Sequence, residues 1–405
     1  MEIKKVSAQE FISFANTSPL NNYMQTEEFA KLQEYISYKP EYILFEDNNK
    51  YLAGAMILIA SIGNYKYGYS PKGFLINYYD ANILNTFTRL LKKTYKDLAF
   101  IKINPEIVVG EVDCKTMLLT TNTNNKIKNI LKNQDYQKLK DNLYFESVNP
   151  RFNAYINLSK NKISEYRKET RNKISNSKRK GLYLDNGDIN DLNEFYKMIN
   201  TDKKIGYYRN LLSVFGDSAE LLVVRVNYED YIKKTQKKLS EEENNNNLYN
   251  EILHRSKEQS DLNKKMASDK VINGLKNEII VATDGLKNNN MEIVAGAIVI
   301  KHGSRAHVVI SGYNKKKKLN QNYFLYYSLI SRYKKDFKFL DIGGISGDFN
   351  SSSPYRGLNR FKMGFNPNIY EYIGEFDLII DKRKYKHLLK SGKLADTFNK
   401  KVDKK

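Results

Sequence analysis

The chain has 405 residues, 41% of them hydrophobic, enough to bury a large core divided over two or more domains. Lysine and arginine number 67 against 46 aspartates and glutamates, a formal charge of +21, so an anionic partner is expected: nucleic acid, a phosphorylated substrate or an acidic membrane surface. A single cysteine, Cys114, excludes an intramolecular disulfide and fits a reducing, cytoplasmic setting.

The four histidines, His254, His302, His307 and His387, are scattered without metal-ligand spacing, and no metal is expected. The N-terminus MEIKKVSAQEFISF has no apolar signal core, and the longest apolar run, from Leu52 to Gly63, is shorter than the ~20 residues that span a bilayer. A soluble protein that visits a membrane surface is the expectation.

In chain order, Asn22 to Tyr35 predicts a capped helix, with Thr26 as N-cap and Phe29 and Leu32 on one face. The runs EYILFED and YLAGAMILIAS, joined by Asn48, Asn49 and Lys50, predict a hairpin. The aromatic stretch YKYGYSPKGFLIN then carries Lys72 and Gly73 behind Pro71. An amphipathic helix from Ala81 to Asp97 precedes the strand LAFIKIN, which stops at Pro105. Asn104 and Glu106 flank that proline, at a strand end of the kind where α/β folds expose polar groups to ligands.

This arrangement repeats. LAGAMILIA (52 to 60) is echoed by VAGAIVIKH (294 to 302), and YKDLAFIKI (95 to 103) by YKKDFKFLDI (333 to 342), each pair with further strands and one helix between. One α/β unit thus occurs twice, Asn104 to Glu106 is the counterpart of Gly343 to Ile345, and a cleft between the halves is the expected place for a large substrate.

The second half opens at Pro150 with the strand RFNAYINL and a helix from Ile163 to Lys180, ended by Gly181. That helix is dense in cations, including Arg171, Lys173, Lys178 and Arg179; a solvated face is the ordinary reading, and a phosphate-binding face the functional one. TDKKIGYYRN (201 to 210) follows. From Tyr228 to about Leu275 the composition turns charged and amide-rich. Tyr228, Ile232, Thr235 and Leu239 recur at four-three-four spacing and Ile252, Gln259 and Met266 at seven, predicting an antiparallel coiled-coil arm.

The last stretch, Asp341 to Ile380, starts as the end of a strand (FKFLDI) broken at Gly343 and Gly344, where bare backbone can approach a ligand. A short helix is predicted from Pro354 to Phe365 with Ser353 as N-cap, carrying Arg360, Phe361 and Lys362. The chain returns as the strand IYEYIGEFDLII, interrupted at Gly374.

GLNRFKMGFNPNIYEYIGEFDLII resembles the C-terminal signature of the FemABX family, the Fem-type peptidoglycan aminoacyltransferases, and DIGGISGDF (341 to 349) resembles the segment before it. TRNKISNSKRKGL is similar to the family's basic helix, where a polyanionic donor lies. TDKKIGYYRN is similar to a segment close to substrate phosphate, with Lys204, Gly206, Tyr207 and Arg209 in its positions and Lys204 where Arg is common. In the early helix Gln33 stands where the family has a phosphate-contacting Lys, and Lys31 is nearby.

The resemblance implies an α/β (α+β) fold of two GNAT-like subdomains with mixed sheets: residues 1–149, then 150–227 with 276–395. A helical arm at 228–275 is inserted in the second, and a basic tail at 396–405 is expected to be disordered. It implies transfer of glycine, alanine or serine from aminoacyl-tRNA to the stem-peptide amine of lipid II, without a cofactor, at the inner face of the bacterial membrane. A homo-oligomer, or a hetero-oligomer with a paralogue, is compatible with it. The donor ester is already activated, so no enzyme nucleophile is needed, which suits a chain without a Ser-His-Asp or Cys-His arrangement.

By the same resemblance Lys362 has the electrostatic role. Glu106, or Asp341, accepts or relays the amine proton. Asn104, Lys72, Lys204, Tyr207, Arg209, Gly343, Gly344, Arg360 and Phe361 contact substrate, and Arg171, Lys173, Lys178 and Arg179 contact tRNA. Asn104 stands where the family often has Asp, and Asn cannot serve as a base. Two other readings remain: a non-catalytic RNA-binding protein, and acetyl transfer from acetyl-CoA, whose pyrophosphate needs a glycine-rich turn where this chain has NKKKKLNQN.

Overall fold

The computed structural model describes residues 1–138, 142–143, 148–255 and 258–398. Two mixed sheets organise it. The first runs in the order Glu2–Val6, Lys39–Asp47, Lys50–Ile62, Tyr65–Ser70, Phe100–Ile103, Phe376–Ile379, Tyr136–Gln137. The second runs Leu182–Asn186, Ala219–Asn227, Met291–His302, Arg305–Tyr313, Phe339–Ile345, Phe152–Asn157, Asn368–Tyr372, Val108–Val112, Leu119–Thr121.

Each sheet has antiparallel hairpins on one side and one parallel pair within it. Tyr65–Ser70 lies parallel to Phe100–Ile103 with the helix Ala81–Thr94 between them in sequence. Arg305–Tyr313 lies parallel to Phe339–Ile345 with the helix Gln321–Tyr333 between them. The internal repeat is therefore structural, and the fold class is the expected α/β one, with two similar units built on mixed sheets.

Local signals explain many of the element ends. Asn48 and Asn49 take positive φ (49° and 60°) in the two-residue turn of the first long hairpin, which suits residues that tolerate that region. Thr26 accepts from Phe29 N–H at 3.2 Å and starts the helix Glu27–Glu34. Gly181 (φ +63°) follows the helix Lys168–Arg179, and a Cβ there would strike the carbonyl of Asn227.

The core is layered. The helix Ala81–Thr94 packs Phe87 and Leu91 on one face of the first sheet. Between the sheets a shared core joins Leu58, Tyr67 and Phe100 of the first unit to Leu221, Val223 and Ile298 of the second. Leu325 and Leu329 of the helix Gln321–Tyr333 cover the far face of the second sheet.

Several expectations are corrected. The boundary at residue 149 does not divide the sheets: Val108–Val112 and Leu119–Thr121 pair in the second, and Phe376–Ile379 pairs in the first. The crossing point is Gly374, at φ +90°, so the IYEYIGEFDLII stretch is two strands in two sheets.

The arm runs past residue 275, as helices Tyr228–Arg255 and Gln259–Asn288, and its seam is mixed: Tyr228, Tyr231, Leu275 and Ala282 are buried together with Thr235, Asn246 and Ser268, while Ile252 and Met266 are exposed. Asn246 and Asp269 bond across it at 2.9 Å. The strand through Asp341 does not break at the two glycines but continues to Ile345 with a bulge against Asn153 and Tyr155, Gly343 taking φ +78°. The last short helix is Arg356–Met363, with Ser353 accepting from Tyr355 N–H ahead of it. Of the tail at 396–405, residues 396–398 belong to the helix Lys393–Phe398 and the rest lies outside the described residues. No helix among the described residues is long and apolar enough to cross a membrane.

Candidate active site

The ends of the two parallel strand pairs converge on one buried polar network. Lys72, just beyond Tyr65–Ser70, donates its backbone N–H to Asn104 Oδ1 at 2.8 Å, and its Nζ lies 3.2 Å from Glu106 Oε1. From the second unit Arg305 Nη1 reaches Glu106 Oε2 at 2.9 Å. Burial opposes ionisation of Glu106, but the Lys72 and Arg305 cations outweigh it and hold the carboxyl down at about 2. A carboxylate held this way is a poor proton acceptor near neutrality, so Glu106 is an ion-pair bridge between the units.

The network continues through tyrosines. The Arg305 guanidinium lies 5.8 Å from the Tyr155 ring centre, Tyr372 donates to Tyr155 Oη at 2.8 Å, and Lys72 Nζ is 5.6 Å from the Tyr372 ring centre. Burial pushes both phenols far above their usual range, so they remain neutral donors. Asn153 Nδ2 spans Tyr155 Oη (3.1 Å) and Asp341 Oδ1 (2.9 Å), and Asp341 Oδ1 also accepts the Gly343 N–H at 2.8 Å.

Lys362 comes to this place from the helix Arg356–Met363. Only 7% exposed, it donates from Nζ to the Gly344 carbonyl at 2.6 Å. Burial pushes its ammonium down to about 8, with the Asp341 carboxylate partly countering. Gly343 takes φ +78° in the bulge beside Lys362 Nζ, a backbone conformation that favours glycine. Gly344 serves a different purpose from the expected one: the space beside its Cα is filled by Pro150, not open to a ligand.

The structure brings Lys362, Asp341, Glu106, Lys72, Asn104, Gly343 and Gly344 together. Tyr207 reaches the same neighbourhood from the helix Ile205–Phe215, where it meets buried Gln33. Lys31 does not replace the missing lysine, being exposed and paired with Glu27 at 2.9 Å. Lys204 and Arg209 are exposed, Arg209 bonding Asn193 at 3.0 Å.

Arg360 points away from Lys362 and pairs with Glu169, while Phe361 packs edge-on against Tyr323 and Tyr326. Cys114 is buried, its thiol directed at the Pro367 carbonyl and raised to about 11 by burial, which leaves it unreactive.

The cations of the basic helix are largely engaged within the fold. Arg171 holds the carbonyls of Ser164 and Tyr166, Lys173 pairs with Glu169 and Tyr323, Lys178 sits 4.1 Å from the Tyr327 ring centre, and Arg179 bonds Glu278 and Thr235 of the arm. Along its outer face a depression of about 420 Å³ is lined by Lys168, Glu169, Asn172, Lys173 and Asn176.

An apolar groove of about 450 Å³ opens between Phe14, Leu20, Leu52, Leu75 and Tyr79, with Glu106 among its walls. A larger cavity, about 510 Å³, lies at 111–122 and 366–369 and contains none of the network residues.

Sequence reasoning missed Arg305, His307, Tyr155, Tyr372 and Asn153. The available signal was the strand repeat, which puts His307 opposite Asp341, and Arg305 opposite Phe339, once the strands are paired in parallel.

The N-terminus of the first crossover helix, Ala81–Thr94, is occupied by a side chain of the chain itself. Asp80 accepts from Asn82 and Ile83 N–H (3.1 and 3.0 Å). Gln321 accepts from Leu319 N–H and donates to the Asn314 and Lys317 carbonyls. The start of the helix Ala81–Thr94 therefore offers no free cradle of N–H groups to a pyrophosphate.

The FemAB family profile matches residues 6–390. The lipid II:glycine glycyltransferase of Staphylococcus aureus (strain bovine RF122 / ET3-1) is 22% identical over 408 residues, 95% of this chain and 94% of that protein. Aminoacyltransferase FemB of Staphylococcus epidermidis (strain ATCC 12228 / FDA PCI 1200) is 24% identical over 409 residues, 95% of this chain and 96% of that protein. The crystal structure of FemX shares the fold, with a TM-score of 0.72 at 19% identity over 96% of this chain and 100% of that one.

Proposed function

The chain belongs to the FemAB family, and from that premise we propose that it is an aminoacyltransferase moving glycine, alanine or serine from aminoacyl-tRNA to the stem-peptide amine of lipid II, building the peptidoglycan interpeptide bridge. The names of the two relatives, one a lipid II:glycine glycyltransferase and the other an aminoacyltransferase, support the acceptor and the reaction class.

The observation that carries the mechanism is the buried Lys362 ammonium, fixed by Gly344 and Asp341 where the two units meet. As the amine nitrogen bonds to the ester carbon, negative charge develops on the carbonyl oxygen and then on the departing ribose oxygen. A desolvated cation already in place stabilises both without reorganising, an effect worth ~3 kcal/mol, roughly a hundredfold in rate. The remaining chemistry is placement of two large substrates.

Phosphates of the donor RNA lie along the outer face of the helix Lys168–Arg179, where Lys168 and Lys178 are exposed. The lipid-linked acceptor brings the protein to the anionic inner face of the cell membrane, and the positive net charge favours that contact.

Acetyl transfer from acetyl-CoA is disfavoured by the Asp80 side chain at the first helix start and by the absence of glycine from NKKKKLNQN ahead of the second. A purified-protein assay tests the reading: lipid II is offered with separately charged glycyl-, alanyl- and seryl-tRNA, and with acetyl-CoA. A product mass increased by one aminoacyl residue with one of the tRNAs is expected. Acetylated product, or none with any donor, overturns it.

A further inference from the structure

His307 stands at the centre of the network, yet the transfer as described gives it no part. It is 3% exposed on the strand Arg305–Tyr313, directly opposite Asp341 in the parallel register. Its Nδ1 lies 3.1 Å from Asp341 Oδ2. Asp341 Oδ1 already accepts from Gly343 N–H and Asn153 Nδ2, so the carboxyl presents acceptor oxygens on both sides.

A ring facing such an oxygen carries its proton on Nδ1, and Nε2 is then a lone-pair acceptor. That Nε2 is buried and has no hydrogen-bond partner among the described residues. A buried polar atom without a partner is rare enough to need a reason, and an absent substrate group is one.

We propose, resting on the reading above, that His307 and Asp341 act as a dyad in the transfer, His307 taking through Nε2 the proton that the acceptor amine gives up as it is acylated. The amine nitrogen bonds to the ester carbon, the carbon–oxygen bond to the ribose breaks, and one amine proton passes to Nε2. Lys362 gives a proton to the departing ribose oxygen, and the imidazolium restores it before the next turnover. Glu106, the other carboxylate of the network, is withdrawn from this task by its two cations.

Charged and aromatic groups face His307 from several elements. Asp341 from the neighbouring strand and Glu106 from the first unit supply negative charge. Tyr23 lies over the ring, centres 4.9 Å apart, as a neutral phenol. Arg305 is tied to Glu106, and His302, held down to about 4 by burial and by His307, adds no charge at neutrality.

The test uses the full chain under single-turnover conditions. His307→Asn keeps an amide donor near the place of Nδ1 and has nothing at Nε2, whereas His307→Gln does the reverse. Both variants, shown folded by circular dichroism, are expected to lose about 10²-fold or more in transfer rate with a smaller change in KM. Both also lose the acid limb of the pH–rate profile. Histidine NMR of the unmodified protein gives a readout independent of turnover, and the Nδ1-protonated tautomer is expected for His307.

An acid limb that survives in either variant, a native rate in His307→Asn, or an Nε2-protonated ring overturns the dyad. If the unmodified protein transfers nothing from any charged tRNA, the functional reading falls, while the tautomer still decides whether the pair exists.

Discussion

Two side chains of the network have opposite relations to pH. The Lys362 ammonium is held at about 8 in the folded protein by burial, against about 10.4 in an unfolded chain. Below pH 8 the fold therefore carries a charge it would rather lose, at a cost of about 3 kcal/mol that fades between about pH 8 and 10. Lys362→Met should slow transfer by roughly a hundredfold or more and raise the melting temperature at pH 7, with the gain gone at pH 10. A lowered melting temperature at pH 7 would show that Lys362 is structural. In the native enzyme, turnover should decline above about pH 8 as the cation is lost.

Glu106 is the reverse case. Its folded pKa lies at about 2, below the unfolded value of about 4.3, so its stabilisation is complete above pH 4.3 and disappears as pH falls towards 2. Glu106→Gln leaves Lys72 and Arg305 facing a neutral amide in a buried place and should cost about 3–5 kcal/mol in urea unfolding at pH 7. That Lys362, Asp341 and Glu106 share one neighbourhood was legible because each sits in or beside a recognisable strand-end or helix motif. Arg305 was not, since its partner Glu106 lies 199 residues away and its own surroundings read as an ordinary hairpin.

At the level of elements, two glycines do work that no other residue could do without strain. Gly343 makes the bulge that lays Lys362 against the strand, and Gly374, at φ +90°, turns the chain from one sheet to the other. Gly374→Ala should cost about 1–3 kcal/mol and lower the melting temperature without altering the product formed. Loss of less than the error of the measurement would mean that the turn adapts.

Helix starts and stops with a single local cause, such as Thr26 and Gly181, were readable from sequence. The arm's seam was readable only at its base. Spacing placed Tyr228, Ile232, Thr235 and Leu239 inward at the base of the arm, as they are, but further out it picks Ile252 and Met266, which face solvent, while Asn246 and Ser268 are buried with their polar groups satisfied across the helices. The bulge was misread as a strand end for a similar reason, because glycine pairs mark both features alike.

For the whole molecule, the duplicated α/β unit could be read from two echoing pairs of strands, but the exchange of strands between the units could not. Nothing in IYEYIGEFDLII states that its two ends belong to different sheets. The exchange is secured by a buried ion pair, Lys102 to Asp377 at 2.7 Å, with Tyr385 donating to the same carboxylate at 2.8 Å. It also explains why one network draws on both units: the strands that cross carry Glu371 and Tyr372 to one side and Asp377 to the other.

Each half of this chain is consequently an incomplete mould for which the other half holds the missing piece. Residues 1–149 produced alone would have an empty slot beside Phe100–Ile103, with Lys102 stranded in it, and should aggregate through that raw margin. Produced together with 150–405, the two fragments should co-purify as one particle, because either can be finished only by its sibling.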